Sequence, residues 1–368
     1  MHSMTRHQDM LPRQRRKPKK SRGLAVVVLR QLLGAAFVSA TSFAAVVSGM
    51  GHLSMAYAAT PAAASVSDLR PYAAGPGFAL VRNAGKDAPV RIDMVRFDPL
   101  SKKILERRPT TLACERVHMA RQSIFCLGTS QQGSTGTGLS YAVTDFKLET
   151  VFFGKMPMGM AVSRARVSPD ATHAGSTVFI AGHAYGTASF ATQALVIDLR
   201  QRKLSMPPLE NWNIFHNNVQ ISSKDMNLWG VSFDPRNPDI FYVTAAIKER
   251  PYLARGSISA RRIDLLRPGI ECPSVSPDGS KLAFKKRRGR TGWAPAVLDL
   301  ASDRETVFQE SRSIDDQIEW LDNHTLVYEL NTPRMMGVKT DLRQIDIRQP
   351  QNPARLWLEN AASPAILR

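Results

Sequence analysis

The side chains best suited to chemistry in this 368-residue chain are eight histidines, three cysteines, a glycine-rich loop and one dense run of cations. The histidines (His2, His7, His52, His118, His173, His183, His216 and His324) show no His-Glu-x-x-His or other close spacing that would place two of them on one metal ion. They read as scattered loop and strand residues. The pentapeptide Gly-x-Ser-x-Gly, which presents a serine nucleophile on a strand-to-helix elbow, does not occur. Gly133-Ser-Thr-Gly-Thr-Gly138 has the glycines of a phosphate cradle but lacks its lysine and a following helix, so it reads as a hairpin loop. Lys285, Lys286, Arg287, Arg288 and Arg290 form a basic surface loop with two readings. One is a solvated hairpin; the other is contact with anionic lipid headgroups or an acidic partner, since clustered cations attract such surfaces over about a Debye length.

Cys114 and Cys126 lie symmetrically about residue 120, and Thr111–Met119 and Gln122–Gly128 read as consecutive strands. A tight turn near Ala120 would set the two thiols directly across a hairpin and allow a disulfide in an oxidising compartment. The other reading is two small buried core residues that never meet. If the pair forms, Cys272 is left as a buried odd thiol.

The elements carrying these groups have a period of 2. Ser176–Ala181, Asp239–Thr244 and Thr325–Leu330 are short β-branched and aromatic runs. Ser168-Pro169-Asp170, Asp234 to Pro238, Ser276-Pro277-Asp278-Gly279 and Asp322-Asn323 separate them as turns, because Pro presets φ, Asp bonds its own backbone and Gly tolerates positive φ. The chain is therefore all-β. A four-strand unit recurs: its clearest copy runs from Glu271 to Phe308, others begin near Ser163 and Gln317, and degraded copies begin near Leu112 and Leu228. First strands fall at about 112, 163, 228, 271, 317 and 362, a period that suits one propeller blade each, with an insertion around Pro207–Met226 in the longest interval. The sixth start runs out of chain after one strand. Gly77–Arg82, Val90–Phe97 and Lys102–Arg107 are three strands with no first strand before them. Joining the two ends closes a six-bladed propeller and removes its open edges.

First strands wall the central channel of such a ring, which is where ligands bind. Their polar residues here are Arg164, Arg166, Asn227, Glu271, Asp315, Asp316, Gln317 and Glu319. Two arginines among acids and amides suit a buried ion-pair network or a bound peptide tail. They also permit Ca²⁺ or another divalent ion, with Asn227, Glu271 and Asp316 as its ligands. Strands alternate faces, so some of the eight must point between blades.

The Ser-Pro-Asp-Gly plus Leu-Ala-Phe repeat resembles that of the TolB-like (PD40) superfamily. Ser163–Asp170 with Gly182-His-Ala-Tyr185, Leu228–Phe233, Glu271–Arg287 and Asp315–Asp322 are similar to exported bacterial TolB-like translocation proteins. The resemblance covers roughly Ala73 to Arg368 and implies a six-bladed propeller of the cell envelope, with little about activity. TolB itself has an α/β domain before its propeller, whereas about fifty residues lie here between Ala58 and Thr111 and they read as blade strands. The Tol-Pal role therefore does not carry over.

A net charge of +18 would point to nucleic acid if it were spread over one folded surface. It is not, because residues 1–58 hold nine basic side chains and one acid, leaving 40 basic against 30 acidic, or +10, for the rest. Residues 1–58 have the layout of an export signal: a basic run Arg13–Arg22, an apolar stretch from Gly23 to about Gly51, and Ala56-Tyr57-Ala58 as the cleavage site. The apolar stretch is long enough to raise a second reading, an uncleaved membrane anchor, although Arg30 splits it. Residues 59–72 read as a linker and 73–368 as the propeller. The expectation is an exported, periplasmic or extracellular monomer without a cofactor. It would be a non-catalytic scaffold for an envelope protein or peptide, or for an anionic membrane surface, and not for nucleic acid. The alternative is a metal-dependent propeller hydrolase or lactonase with its site in the channel.

Overall fold

The computed structural model describes residues 64–368 apart from 86–88, 129–138, 158–160, 182–189, 203–206, 224, 249, 290–291, 315, 317 and 336. Residues 1–58, the Gly133–Gly138 loop, the Gly182–Tyr185 motif, Arg290, Asp315 and Gln317 thus lie outside the described residues.

Six sheets, antiparallel within each blade, make six blades. Blade 1 consists of β1 (Phe78–Asn83), β2 (Ile92–Phe97) and β3 (Ile104–Pro109). Its innermost strand comes from the other end of the chain, β25 (Ala361–Ile366), with Ala79 opposite Ile366 and Arg82 opposite Ala362. The ring is closed as the repeat arithmetic expected. Blade 2 is β4 (Arg116–Ala120), β5 (Ser123–Leu127), β6 (Ser140–Thr144) and β7 (Thr150–Lys155). Blade 3 shows β8 (Ala161–Val167), β9 (His173–Ala181) and β10 (Phe190–Asp198); the expected fourth strand at 203–205 lies outside the described residues. Blade 5 is β17 (Glu271–Val275), β18 (Lys281–Arg288), β19 (Gly292–Asp299) and β20 (Glu305–Val307). Blade 6 is β21 (Ile318–Trp320), β22 (Thr325–Arg334), β23 (Gly337–Asp346) and β24 (Arg355–Leu358).

Blade 4 holds what the sequence left as an insertion. Its strands β13 (Asn227–Phe233), β14 (Ile240–Ile247), β15 (Arg250–Ser257) and β16 (Arg262–Pro268) are extended outward by a hairpin, β11 (Asn213–His216) and β12 (Val219–Ile221). β11 runs parallel to β16, so the insertion makes a six-stranded sheet.

Blades are buried on both faces, which is why their strands read as nearly continuous apolar runs. Along β22, Leu326, Tyr328 and Leu330 pack between blades 5 and 6, while Val327 packs between blades 6 and 1. Along β18, Leu282 and Phe284 face blade 4 and Ala283 faces blade 6. The same alternation corrects the reading of Lys285–Arg288 as a loop: all four are the end of β18, and the hairpin turn starts only at Gly289.

Two further expectations shift. The segment read as a linker is packed from Val66 onward: Leu69 is fully buried, its N–H donates to Phe146 O (2.7 Å), and Val66 bridges to Thr110. Thr111 and Leu112 bond to Val66 and Ile92 and not to a blade 2 partner, so the first strand of blade 2 begins at Arg116.

Four first strands carry a β-bulge at a left-handed residue three positions before the last paired one: Arg164, Gly230, Cys272 and Ser363, at φ between 48° and 75°. A bulge re-aims the residues after it. At Gly230 the choice of glycine is steric as well, because a Cβ there would lie 3.0 Å from Cys272 Cα.

Candidate functional site: the mouth of the central channel

The residues just after these bulges meet at one end of the channel. A cavity of about 370 Å³ is lined by His118, Arg166, Ser232, Ser274, Arg368 and the turn prolines Pro169, Pro235 and Pro277, with Arg121 at its edge. Beneath it lies Glu319, 1% exposed. Its Oε2 is 3.0 Å from Arg166 Nη1 and 3.4 Å from His118 Nε2. Its Oε1 accepts from the Trp320 N–H (2.8 Å) and pairs with Arg368. Arg166 Nη2 donates to Ser274 Oγ and to Ile318 O, both at 3.0 Å. Arg368 also donates to Trp320 O (3.1 Å), and the Trp320 indole donates to Ser274 O (2.9 Å). Strands of blades 2, 3, 5 and 6, and the segment leaving β25, are thereby tied through one carboxylate.

The electrostatics follow from this enclosure. Burial by itself drives the Glu319 carboxyl up, but the Arg166 and Arg368 charges and the His118 N–H reverse this and hold it well below the usual carboxylate range. His118 is pushed down to about 4, by burial first and also by the two guanidiniums, against the pull of Glu319. The His118 ring is thus neutral near pH 7. Its Nδ1 accepts the Val167 N–H at 3.0 Å, which puts the proton on Nε2, toward Glu319. Ser232 repeats the pattern one blade pair on, its hydroxyl accepting the Val275 N–H at 3.0 Å.

Of the residues singled out from the sequence, the structure brings Arg166 and Glu319 into direct contact. Arg164 is buried at its bulge, two positions before Arg166. Asn227 turns toward β10, accepting from the Thr192 N–H (2.9 Å) beside Glu210. Glu271 accepts from the Trp293 indole (2.9 Å) and lies 3.4 Å from Arg287. Asp316 is 3.5 Å from Arg116 and adjoins Glu329, whose carboxyl is pushed up by burial and then by the Asp316 charge. The three side chains considered as ligands of a divalent ion are thus handed to separate partners. Among the described residues no group of three or more His, Cys, Asp or Glu is placed to hold a metal.

The basic run is engaged internally. Lys285 and Arg287 both lie over the Trp293 ring system, at 4.4 and 4.5 Å, a cation–π arrangement. Lys286 pairs with Glu305 (2.7 Å), and Arg288 donates to Glu310 O and to Ser311 O (2.7 Å). Cys114 and Cys126 are joined, with Cα atoms 5.4 Å apart, although Val117 and not Cys114 is the residue opposite Cys126 in the ladder. Cys114 lies before the strand, where the Glu115 N–H still bonds Leu127 O (2.8 Å). Cys272 is free and buried.

His118, Ser274 and Arg368 were not singled out as channel residues. The signal for Ser274 was the repeat itself: Arg166, Ser232, Ser274 and Glu319 each stand one residue before the end of their first strand, and His118 stands two before the end of β4. Starting blade 2 at residue 112 and not 116 hid His118.

The ring is that of a six-bladed β-propeller. The chain is similar in fold to TolB from Acinetobacter baumannii, with a TM-score of 0.54 and 13% identity over 79% of this chain and 66% of that one. It thus spans about two thirds of that protein's length. Weaker likenesses are to a puromycin-hydrolyzing peptidase of Mycobacterium tuberculosis (TM-score 0.44, 10% identity, 78% of this chain and 46% of that one) and to hydrazine synthase of Kuenenia stuttgartiensis (0.40, 14%, 66% and 64%). At these identities the likeness is one of fold. No protein-family model and no curated protein matches the chain.

Proposed function

We propose that this chain is an exported, non-catalytic propeller of the cell envelope that takes a protein partner at the mouth of its central channel. The observation that carries the reading is the cavity over the Glu319 network: a concave site with polar groups converging from several blades, held rigid by buried ion pairs. Export is supported by the layout of residues 1–58 and by the Cys114–Cys126 bond, which suits an oxidising compartment. Among the described residues no helix is long and apolar enough to cross a membrane. The hydrolase alternative has its three proposed ion ligands engaged elsewhere, and a membrane-surface role has most of its cations paired within blade 5.

The test is capture of partners from envelope extracts by the wild-type chain and by Pro235→Trp, which fills the mouth from a turn without touching the ion network. Loss of a specific, stoichiometric partner in Pro235→Trp supports the reading. Retention of that partner would move the binding site off the mouth.

A further inference from the structure

The mouth does not end at its rim. A second cavity of about 920 Å³ lies beside it, between the short helix α1 (Arg70–Ala73), the β4–β5 turn at Arg121–Ser123, and Leu367–Arg368. Arg121 and Arg368 line both cavities, so the two are one continuous surface. Its chemistry is lopsided. Among the described residues lining either cavity there is no Asp or Glu, while Arg70, Arg121, Arg166 and Arg368 are all present. Arg70 is neutralised by Asp68 at 2.6 Å. Arg166 and Arg368 share the single buried carboxylate of Glu319. Arg121 is an exposed side chain that donates to a carbonyl, Pro169 O (3.2 Å). Two guanidiniums therefore share one carboxylate while the third, Arg121, bonds a carbonyl, and an excess of positive charge is left where the two cavities join. The remaining groove wall is apolar, with Ala73, Pro76, Phe146 and Leu367.

We infer that this joined surface takes an extended acidic peptide segment, which enters the mouth and leaves along the groove. The inference rests on the mouth being the binding site and adds the class of ligand. Carboxylate side chains match the guanidiniums bidentately, and small apolar residues between them cover the Ala, Pro, Phe and Leu wall. A polyanion such as a phosphate chain or a lipid headgroup layer satisfies the cations but leaves that wall uncovered.

Fluorescence anisotropy with three labelled peptides of equal length decides it: one alternating Asp or Glu with Ala and Leu, one with Asn and Gln in place of the acids, and one with Lys. Wild-type protein should bind the acidic peptide at least about tenfold more tightly than the amide peptide, with affinity falling as salt rises from about 50 to about 300 mM. Arg121→Glu should remove most of that preference while melting like the wild type, because Arg121 is exposed and its hydrogen bond is to a backbone oxygen. Equal affinity for the acidic and amide peptides overturns the inference, as does unchanged binding by Arg121→Glu. Stronger Arg121-dependent binding of inorganic polyphosphate or anionic vesicles than of the acidic peptide also overturns it. If Pro235→Trp abolishes partner capture while peptide charge makes no difference, the acidic class fails and the mouth stands; if neither variant alters any binding, both fail.

Discussion

Arg166 Nη1 and Glu319 Oε2 stand 3.0 Å apart across the centre of the ring, one from blade 3 and the other from blade 6. In a six-membered ring these blades are diametrically opposed, so the pair is a strut across the channel. The carboxylate is 1% exposed and serves Arg368 as well, which makes its removal more costly than that of a surface ion pair.

Glu319→Gln should therefore destabilise the protein by about 3–5 kcal/mol, because it leaves two guanidiniums without their counter-charge. The double variant Glu319→Leu with Arg166→Leu should lose clearly less than the sum of its single changes, since no orphaned charge remains between that pair. Urea unfolding of the five proteins (wild type, Glu319→Gln, the two leucine singles and their double) measures both. Additive losses would show that the pair is not coupled.

His118 and Glu210 act in opposite directions on the pH dependence of stability. His118 has its folded pKa depressed to about 4 from an ordinary 6.5, so the unfolded chain binds more protons between these values and stability falls as pH drops from 6.5 to 4. Glu210 is pushed up to about 7 by burial, despite accepting from the Thr192 hydroxyl and the Ala194 and Leu228 N–H groups. Its folded form binds the extra proton between 4.5 and 7, so its contribution falls as pH rises through that window. His118→Gln should flatten the acid side of the stability profile, and Glu210→Gln the side approaching neutrality. Chemical unfolding at pH steps from 4 to 8 reads both slopes, and an unchanged profile in either variant contradicts the assignment for that group.

The disulfide closes a short loop that holds β4 and most of β5, the first hairpin of blade 2. Denatured, unreduced protein should show one free thiol, Cys272, and peptide mapping should join residues 114 and 126. Replacing both by Ser should lower stability by about 3 kcal/mol. Three free thiols would refute the bond.

Removal of Ala361–Arg368 should be far more damaging than its length suggests. It strips the innermost strand from blade 1 and takes Arg368 from Glu319, exposing a strand edge and part of the channel wall. Light scattering and circular dichroism should show aggregation and loss of cooperative melting. A truncated protein that stays monomeric and melts with the full chain would contradict closure by β25.

Blade order, the closing strand and the identity of Glu319 and Arg166 as channel residues are legible from local chemistry. Turns such as Ser276-Pro277-Asp278-Gly279 recur at a fixed period, and an orphan strand at each end leaves one economical way to join them. Other features depended on side chains and segments that meet only in three dimensions. Period 2 marks Lys285–Arg288 as strand or loop indifferently; what settles it is Trp293 across the ladder, Glu305 on the next strand and the carbonyls at 310–311. The Pro207–Met226 insertion carries no repeat signal, and its parallel pairing with β16 exists only because blade 4 offers an outer edge. Asn227, Glu271 and Asp316 share a residue chemistry that would suit one ion, yet strand alternation and the bulges send them to Thr192, Trp293 and Arg116. Sequence by itself determined the number and order of the blades, because turn chemistry and hydrophobic period act over a few residues. The tertiary structure alone decided which polar groups converge, because that depends on the twist and bulge of each first strand and on the partners that neighbouring blades place within reach.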